Sequence, residues 1–377
     1  MRIALTGGGS GGHLFPILAV TREIKKIVQD NIYKIPVGEG TTVEFMFIGP
    51  ETVGEELLIQ ENIQHRTIMA GKLRRYASLQ NIFDIFKIPV GIAQSLWHLF
   101  FFMPNVIFSK GGYGSVPVVI AGWMFNVPVI IHESDATPGL ANKFCAKLAR
   151  RIAISFPESA ESFSGKNKKI ALTGNPVRKE LLGGTPEDAK NIFGLSGLKL
   201  IILVLGGSQG AKALNEVTFN ALPSLLPRCE IIHQCGSNNL EEIQKDLGDK
   251  RPEGYFLYPF LDENQMKQAY AAANLVVSRA GAGTIAEISA LGKPSILIPL
   301  PNSAADHQLK NAISYAKSGS AMIVDQMNLT PHLFQNRIFT LLDNPDLLKK
   351  MGDNAKKFNP SDAAQKIAQE VLAIAKY

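Results

Sequence analysis

Along the chain, short runs of β-branched and aliphatic residues alternate with longer stretches whose apolar positions recur every three to four residues. The runs fall at residues 2–6, 43–48, 105–109, 128–132, 170–173, 199–205, 230–234, 255–258, 274–278, 295–300 and 321–325. Each is the length of a strand, and the stretches between them hold helices, so the pattern predicts a parallel α/β architecture. One device occurs twice. Ile3-Ala4-Leu5-Thr6 leads into Gly7-Gly8-Gly9-Ser10-Gly11-Gly12, and Leu200-Ile201-Ile202-Leu203-Val204-Leu205 leads into Gly206-Gly207-Ser208-Gln209-Gly210, each ahead of a predicted helix. A strand, a glycine turn and a helix N-terminus gather free N–H groups around a point where an anion can sit. Two such units predict two doubly wound domains, each with its own ligand edge. The expected hinge is Thr173-Gly174-Asn175-Pro176, where Asn-Pro marks a turn. A last helix, capped by Ser361 or Asp362, carries Ile367, Ala368, Val371, Leu372 and Ala375 on one side and is expected to pack on a domain.

Composition narrows the class. With 377 residues, 46% hydrophobic and 19% charged, the chain is a folded protein of two domains, not a disordered or low-complexity one. Its three cysteines, Cys145, Cys229 and Cys235, form no C-x-x-C pair and have no His at ligand spacing, so neither a disulfide framework nor a metal site is expected. The first strand follows Met1 directly, without the pattern of a secretory leader. The uncharged run 88–109 is broken by Pro89 and Pro104, which leave 14 residues between them. A membrane-spanning helix needs about 20, so none is expected. Charge is uneven: residues 1–178 hold 19 Lys/Arg against 13 Asp/Glu, residues 179–377 hold 20 of each, and the net +6 therefore sits in the first half. There Lys72, Arg74, Arg75 and Lys87 flank or interleave with Ile82, Phe83, Ile85, Phe86, Val90, Ile92, Leu96, Trp97, Phe100, Phe101, Phe102 and Met103. An apolar stretch with cationic flanks suits an anionic membrane surface, and also suits a core helix. No nucleic-acid partner is expected.

Gly7, Gly9 and Gly12 satisfy the spacing of a dinucleotide fingerprint, but the second strand ends in Gly49-Pro50 where a ribose-binding acid is needed. A P-loop is excluded because His13 follows Gly12. At the mouth of the loop, His13 reads either as a general base or as a capping, phosphate-contacting imidazole. The second glycine loop suits a diphosphate. Ser278-Arg279-Ala280-Gly281-Ala282-Gly283-Thr284-Ile285-Ala286-Glu287 again opens a helix after a strand, with Glu287 one turn inside, where a carboxylate can accept both hydroxyls of a ribose. His132-Glu133-Ser134-Asp135 and Asp306-His307-Gln308 follow apolar strands, as ligand edges of parallel sheets do.

In this order, the first glycine loop with His13, Lys110-Gly111-Gly112-Tyr113, His132-Glu133 with Gly139-Leu140-Ala141-Asn142-Lys143, Thr173-Gly174-Asn175-Pro176-Val177-Arg178, the second glycine loop, Ser278 to Glu287, and Asp306-His307-Gln308 resemble the MurG family of peptidoglycan glycosyltransferases over essentially the whole chain. The resemblance implies a GT-B architecture, two Rossmann-like domains facing across a cleft. Residues 1–175 would form the acceptor and membrane-facing domain, with 361–377 packing back on it, and 176–360 the UDP-GlcNAc-binding domain. The implied reaction is inverting and metal-independent, needs no cofactor, and moves N-acetylglucosamine from UDP-GlcNAc to the 4-hydroxyl of the N-acetylmuramyl residue of lipid I, undecaprenyl-pyrophosphoryl-N-acetylmuramyl-pentapeptide. The implied location is the cytoplasmic face of the bacterial inner membrane, as a peripheral protein. By similarity, Ser10, Gly11, Gly12, Arg178, Ser208, Leu261, Ala282, Gly283, Thr284, Ile285, Ala286, Glu287 and Gln308 contact the donor. Glu287 would take the ribose, the Phe260-Leu261 backbone the uracil, and Gln308 the sugar. The base is His13, with Glu133 or Asp135 as alternatives. Asp135 stands where the family commonly has an amide, so it would meet the sugar as a carboxylate. The first glycine loop equally suits the acceptor's own diphosphate. Another GT-B glycolipid glycosyltransferase and a UDP-GlcNAc 2-epimerase are the competing readings.

Overall fold

The computed structural model describes residues 1–9, 11–30, 42–51, 54–71, 79–163, 165, 169–207, 210–248 and 252–375, with the side chains of 79–83, 85 and 246 outside that set. Ser10, Ser208, Lys72, Arg74, Arg75 and the side chains of Ile82, Phe83 and Ile85 therefore lie outside the described residues. The chain divides into two compact units, Met1–Val177 with Ser361–Tyr377, and Arg178–Pro360.

In the first unit, the described strands are β1 (Arg2–Thr6), β2 (Glu44–Gly49), β3 (Ile63–Thr67), β4 (Val106–Ser109), β5 (Val129–Glu133), β6 (Arg151–Ile154) and β7 (Ile170–Leu172). They form one parallel sheet in the order β3-β2-β1-β4-β5-β6-β7. Successive β1 side chains point to opposite faces. Ile3 and Leu5 join the core under the Gly11–Gln29 helix, whereas Ala4 joins the one with Val118, Val119 and Leu99. The strand order reverses beside β1, so the loops after β1 and β4 open at the crevice where doubly wound sheets bind ligands.

Two of these strands escaped the hydrophobic pattern. β3, Ile-Gln-His-Arg-Thr, is an edge strand with only Ile63 buried, and β6 is four residues long and begins on Arg151. An edge strand needs little apolar sequence, whereas β6, buried on both faces through Ile152, Ala153 and Ile154, is too short for the pattern to stand out.

The helix Ala363–Ile374 belongs to the first unit and buries Ile367, Ala368, Val371 and Leu372 beside Ile17, Val20 and Ile24. Its expected cap is not made. The Asp362 carboxylate receives no backbone N–H and instead pairs with Lys366 at 3.0 Å. The helix is held by its apolar face. Ile367→Ala is accordingly expected to destabilise the protein by about 2–5 kcal/mol, read as a lowered denaturant midpoint at unchanged slope.

The second unit holds β8 (Leu200–Leu205), β9 (Cys229–Gln234), β10 (Tyr255–Tyr258), β11 (Leu275–Ser278), β12 (Ser295–Leu297) and β13 (Ala321–Ile323), again parallel, in the order β10-β9-β8-β11-β12-β13. Its reversal lies between β8 and β11, beside the second glycine loop and the Arg279–Gly281 turn. No helix among the described residues is long and apolar enough to cross a membrane.

Candidate functional site

At the C-terminal edge of the first sheet, the turn after β1 runs into the Gly11–Gln29 helix, and His13 lies in the first turn of that helix. Its ring is seated on glycines. A Cβ on Gly8 would stand 2.9 Å from His13 Cδ2, and one on Gly112 would stand 3.1 Å from Cε1. Gly112 has φ +85°, so glycine there serves both the backbone conformation and the close approach. Burial, and then the charge of Lys110, lower the His13 pKa to about 4, while the Lys110 backbone and Asp135 act in the opposite sense. The imidazole is therefore neutral at pH 7, the form that accepts a proton.

β5 ends on His132 and Glu133, both buried. His132 Nε2 donates to the Gly174 carbonyl at 3.0 Å, and burial holds its pKa well below the usual value. Glu133 is an organiser. One carboxylate oxygen accepts the Asp135 N–H at 2.9 Å, and the other accepts the Gly139 N–H at 3.3 Å and Asn142 Nδ2 at 2.8 Å. Burial and then Asp135 raise its pKa, opposed by these hydrogen bonds and by Lys110. With three donors on a sealed carboxylate, Glu133 shapes the turn that carries Asp135. Asp135 itself is only partly buried. Lys110, at the end of β4, is the residue missed from the candidate set: it is fully buried and electrostatically linked to His13, Glu133 and Asp135. The signal was a lysine directly after an apolar strand and before two glycines.

The second unit carries a cavity of about 660 Å³ lined by Gly206, Gly207, Gly210, Arg279, Gly281, Thr284 and Gln308, among others. Gly207 and Gly210 both have φ +81°, which turns the backbone sharply after β8. The Ala282–Ala290 helix begins at the same place, with Gly281 as its N-cap. Arg279 was not singled out as a site residue; it lines the cavity, and its guanidinium donates to the Ile298 carbonyl at 3.1 Å. Gln308 accepts the Leu300 N–H at 2.9 Å through its side-chain oxygen, which leaves its amide N–H groups as what it offers a ligand.

Arg178 and Glu287, separated by 109 positions, meet: Arg178 Nη2 donates to Glu287 Oε1 at 3.3 Å, and Tyr270 Oη donates to Oε2 at 3.0 Å. Tyr270 is fully buried, and burial followed by the Glu287 charge drives its pKa well above the usual value, so it stays a donor. It was another unread residue, with no local signal. Glu287 and Arg178 are not among the residues that line the cavity.

The structure limits how three expected contacts can be made. Ile285 and Ala286 are buried, at 1% and 2% exposure, and the Ile285 N–H is used inside the helix on the Gly281 carbonyl at 3.0 Å. The helix ladder takes up backbone N–H groups from its second turn on, so Gly283 and Thr284, in the first turn, are better placed than Ile285 to offer theirs. Leu261 is buried and its N–H already donates to Gln234 Oε1 at 3.1 Å, which leaves its carbonyl, not its N–H, for a base edge. Among the described residues no group of three or more His, Cys, Asp and Glu side chains is placed to hold a metal ion.

Comparison with known proteins is consistent across the chain. Residues 3–154 match the glycosyltransferase family 28 N-terminal domain and residues 201–367 the family 28 C-terminal domain. A Clostridium kluyveri relative, 38% identical over 97% of both chains, is a UDP-N-acetylglucosamine–N-acetylmuramyl-(pentapeptide) pyrophosphoryl-undecaprenol N-acetylglucosamine transferase, and a Clostridium perfringens protein of the same name is 39% identical over 91% of this chain and 90% of its own. The crystal structure of Acinetobacter baumannii MurG aligns with a TM-score of 0.72 at 28% identity over 99% of each chain. A Neisseria meningitidis UDP-GlcNAc 2-epimerase aligns with a TM-score of 0.68 over 99% of this chain and 100% of its own, but at 13% identity, which is likeness of fold alone.

Proposed function

The chain belongs to glycosyltransferase family 28, and from that premise we infer that it is the N-acetylglucosaminyl transferase that converts lipid I into lipid II with UDP-GlcNAc as donor. The observation that carries this reading is the 38% identity over 97% of both chains to a transferase of that name. We place the donor in the second unit. As UDP leaves the anomeric carbon, negative charge grows on the diphosphate, and fixed donors stabilise it best when they need not reorganise. The Gly207 N–H, those of Gly283 and Thr284, and the Arg279 guanidinium supply them. Glu287, clamped by Arg178 and Tyr270, takes the ribose hydroxyls, and Gln308 the sugar.

The acceptor belongs to the first unit in this reading. Neutral His13 takes the proton of the 4-hydroxyl as it attacks, inverting the anomeric centre, and Asp135 accepts from a sugar hydroxyl. Glu133 keeps the Asp135 turn in shape. UDP release from UDP-GlcNAc with and without a lipid I analogue tests the function. Release that depends on the acceptor supports the transferase, whereas acceptor-independent conversion of the sugar would identify an epimerase.

The membrane surface is the finer part of the proposal. Phe86, Val90, Trp97, Phe100 and Phe101 of the Leu79–Phe102 helix are exposed, whereas Leu99 and Phe102 are buried in the core. The helix is thus divided between core and solvent. Phe100 and Phe125 rings lie 6.5 Å apart, and Trp123 and Met124 extend the exposed apolar area. Isolated apolar residues are common on surfaces, but a contiguous aromatic patch in the half that carries the net +6 suits an anionic bilayer. Changing Trp97, Phe100 and Phe101 together to Ser is expected to lower partitioning onto anionic vesicles by about two decades or more, with UDP affinity unchanged. Co-sedimentation measures it, and equal partitioning of variant and wild type would remove this face.

A further inference from the structure

The end of β4 carries a group that the transfer described above does not use. Lys110 is 1% exposed, and its Nζ has no hydrogen-bond partner among the described residues. A buried ammonium normally keeps an acceptor in contact, because leaving water penalises the charged form. Its backbone is fixed at the reversal of the sheet: the Lys110 N–H donates to the Thr6 carbonyl at 2.9 Å, and Lys110 Cβ lies 3.6 Å from where a Cβ on Gly7 would stand. The side chain is thus sealed in below the first glycine turn. His13 Cβ, on the Gly11–Gln29 helix, lies 3.4 Å from that same point beside Gly7, and the Lys110 charge is coupled to His13, to His132 and Glu133 at the end of β5, and to Asp135 in the turn that follows. From the Leu140–Leu148 helix comes Asn142, neutral, whose Oδ1 is also buried without a partner. One cation, two carboxylates and two imidazoles therefore share the strand ends of this unit.

We propose that Lys110 is a positioning residue for the transfer, a sealed positive charge that favours the carboxylate form of Glu133, and so the turn presenting Asp135, and that adds to burial in keeping the His13 imidazole unprotonated. The part concerning His13 rests on the reading of that residue as the base; the part concerning Glu133 does not. Burial brings the Lys110 pKa down to about 8, so at pH 7 most molecules still carry the charge. A cation beside a carboxylate opposes its protonation, and a cation beside an imidazole does the same. Both effects act in one direction. Without the charge, His13 and Glu133 each retain their protons to higher pH, and a protonated Glu133 gives up part of its capacity to accept from Asp135, Gly139 and Asn142.

The test compares Lys110→Met, Lys110→Gln and Lys110→Arg in the full-length protein, with UDP affinity within about twofold of wild type as the sign that each is folded. Two readouts are taken: the pH profile of kcat/KM with a lipid I analogue, and the imidazole NMR titration of His13, assigned by its loss in His13→Gln. In the Met and Gln variants the acid limb and the His13 midpoint are both expected to move up by about one pH unit. Lys110→Arg, which keeps the charge, should return both toward wild type. An acid limb in Lys110→Met and Lys110→Gln that coincides with wild type overturns the proposal, whether or not the His13 midpoint moves. If His13→Ala keeps near-normal turnover while the acid limb of Lys110→Met still shifts, the base reading fails and Lys110 stands as the support of Glu133.

Discussion

Replacing His13 with Ala is expected to lower kcat by about 10² to 10⁴ with little change in UDP affinity. The size is that of a positioned general base, and the separation of effects follows from the unit that holds each group: His13 belongs to Met1–Val177 and the glycine-lined cavity to Arg178–Pro360. The pH dependence follows from the surroundings of the ring. Burial and the Lys110 charge bring its pKa to about 4, and the active form is the unprotonated one. Activity in kcat/KM should therefore persist as pH falls through 6 and be lost only near the lowered value. Single-turnover measurements separate chemistry from binding. A His13→Ala variant with near-normal turnover and a much higher acceptor KM would assign the imidazole to the acceptor's diphosphate instead.

Glu287→Ala is expected to weaken UDP-GlcNAc binding roughly 10- to 150-fold, the equivalent of about 1.5–3 kcal/mol for hydrogen bonds to a charged group. The carboxylate is held from two sides, by Arg178 at 3.3 Å and Tyr270 at 3.0 Å, so it arrives at a ribose already oriented. Its removal also leaves the Tyr270 hydroxyl buried without its acceptor, and some loss of stability in the second unit accompanies the loss of affinity. Calorimetric titration with UDP and with 2′-deoxy-UDP checks the cause. The variant should no longer prefer the ribose form, and a folded variant with unchanged UDP affinity would remove Glu287 from the site.

Much of this protein was open to reading because its signals are local. Both glycine turns follow aliphatic strands within a few residues, and a turn's φ requirement is met by the residue that occupies it; Gly207 and Gly210 at φ +81° are the observed cases. The spacing of Ile367, Ala368, Val371 and Leu372 likewise announces one apolar helix face before any partner is known, and those four are buried. β3 and β6 gave no comparable sign, since an edge position asks little of the sequence and a run of four residues is too short to show a period.

The site divides along the same line. That His13, Glu133, Asp135, the second glycine loop and the turn ahead of the Glu287 helix follow strands is a matter of order along the chain, and the chain alone declares it. Which of them can act is decided by neighbours distant in sequence. Glu133 became an organiser because Asn142 folds back on it, Leu261 lost its N–H to Gln234, and Ile285 spent its own inside the helix. Lys110 reads in the sequence as one more cation. Only the packing of β4 between β1 and β5 removes it from water and sets its charge in the field shared with His13 and Glu133. The reason is physical: backbone preference and amphipathic period depend on adjacent residues, whereas desolvation and the pairing of buried charges depend on every element that surrounds the group, and those exist only once the chain has folded.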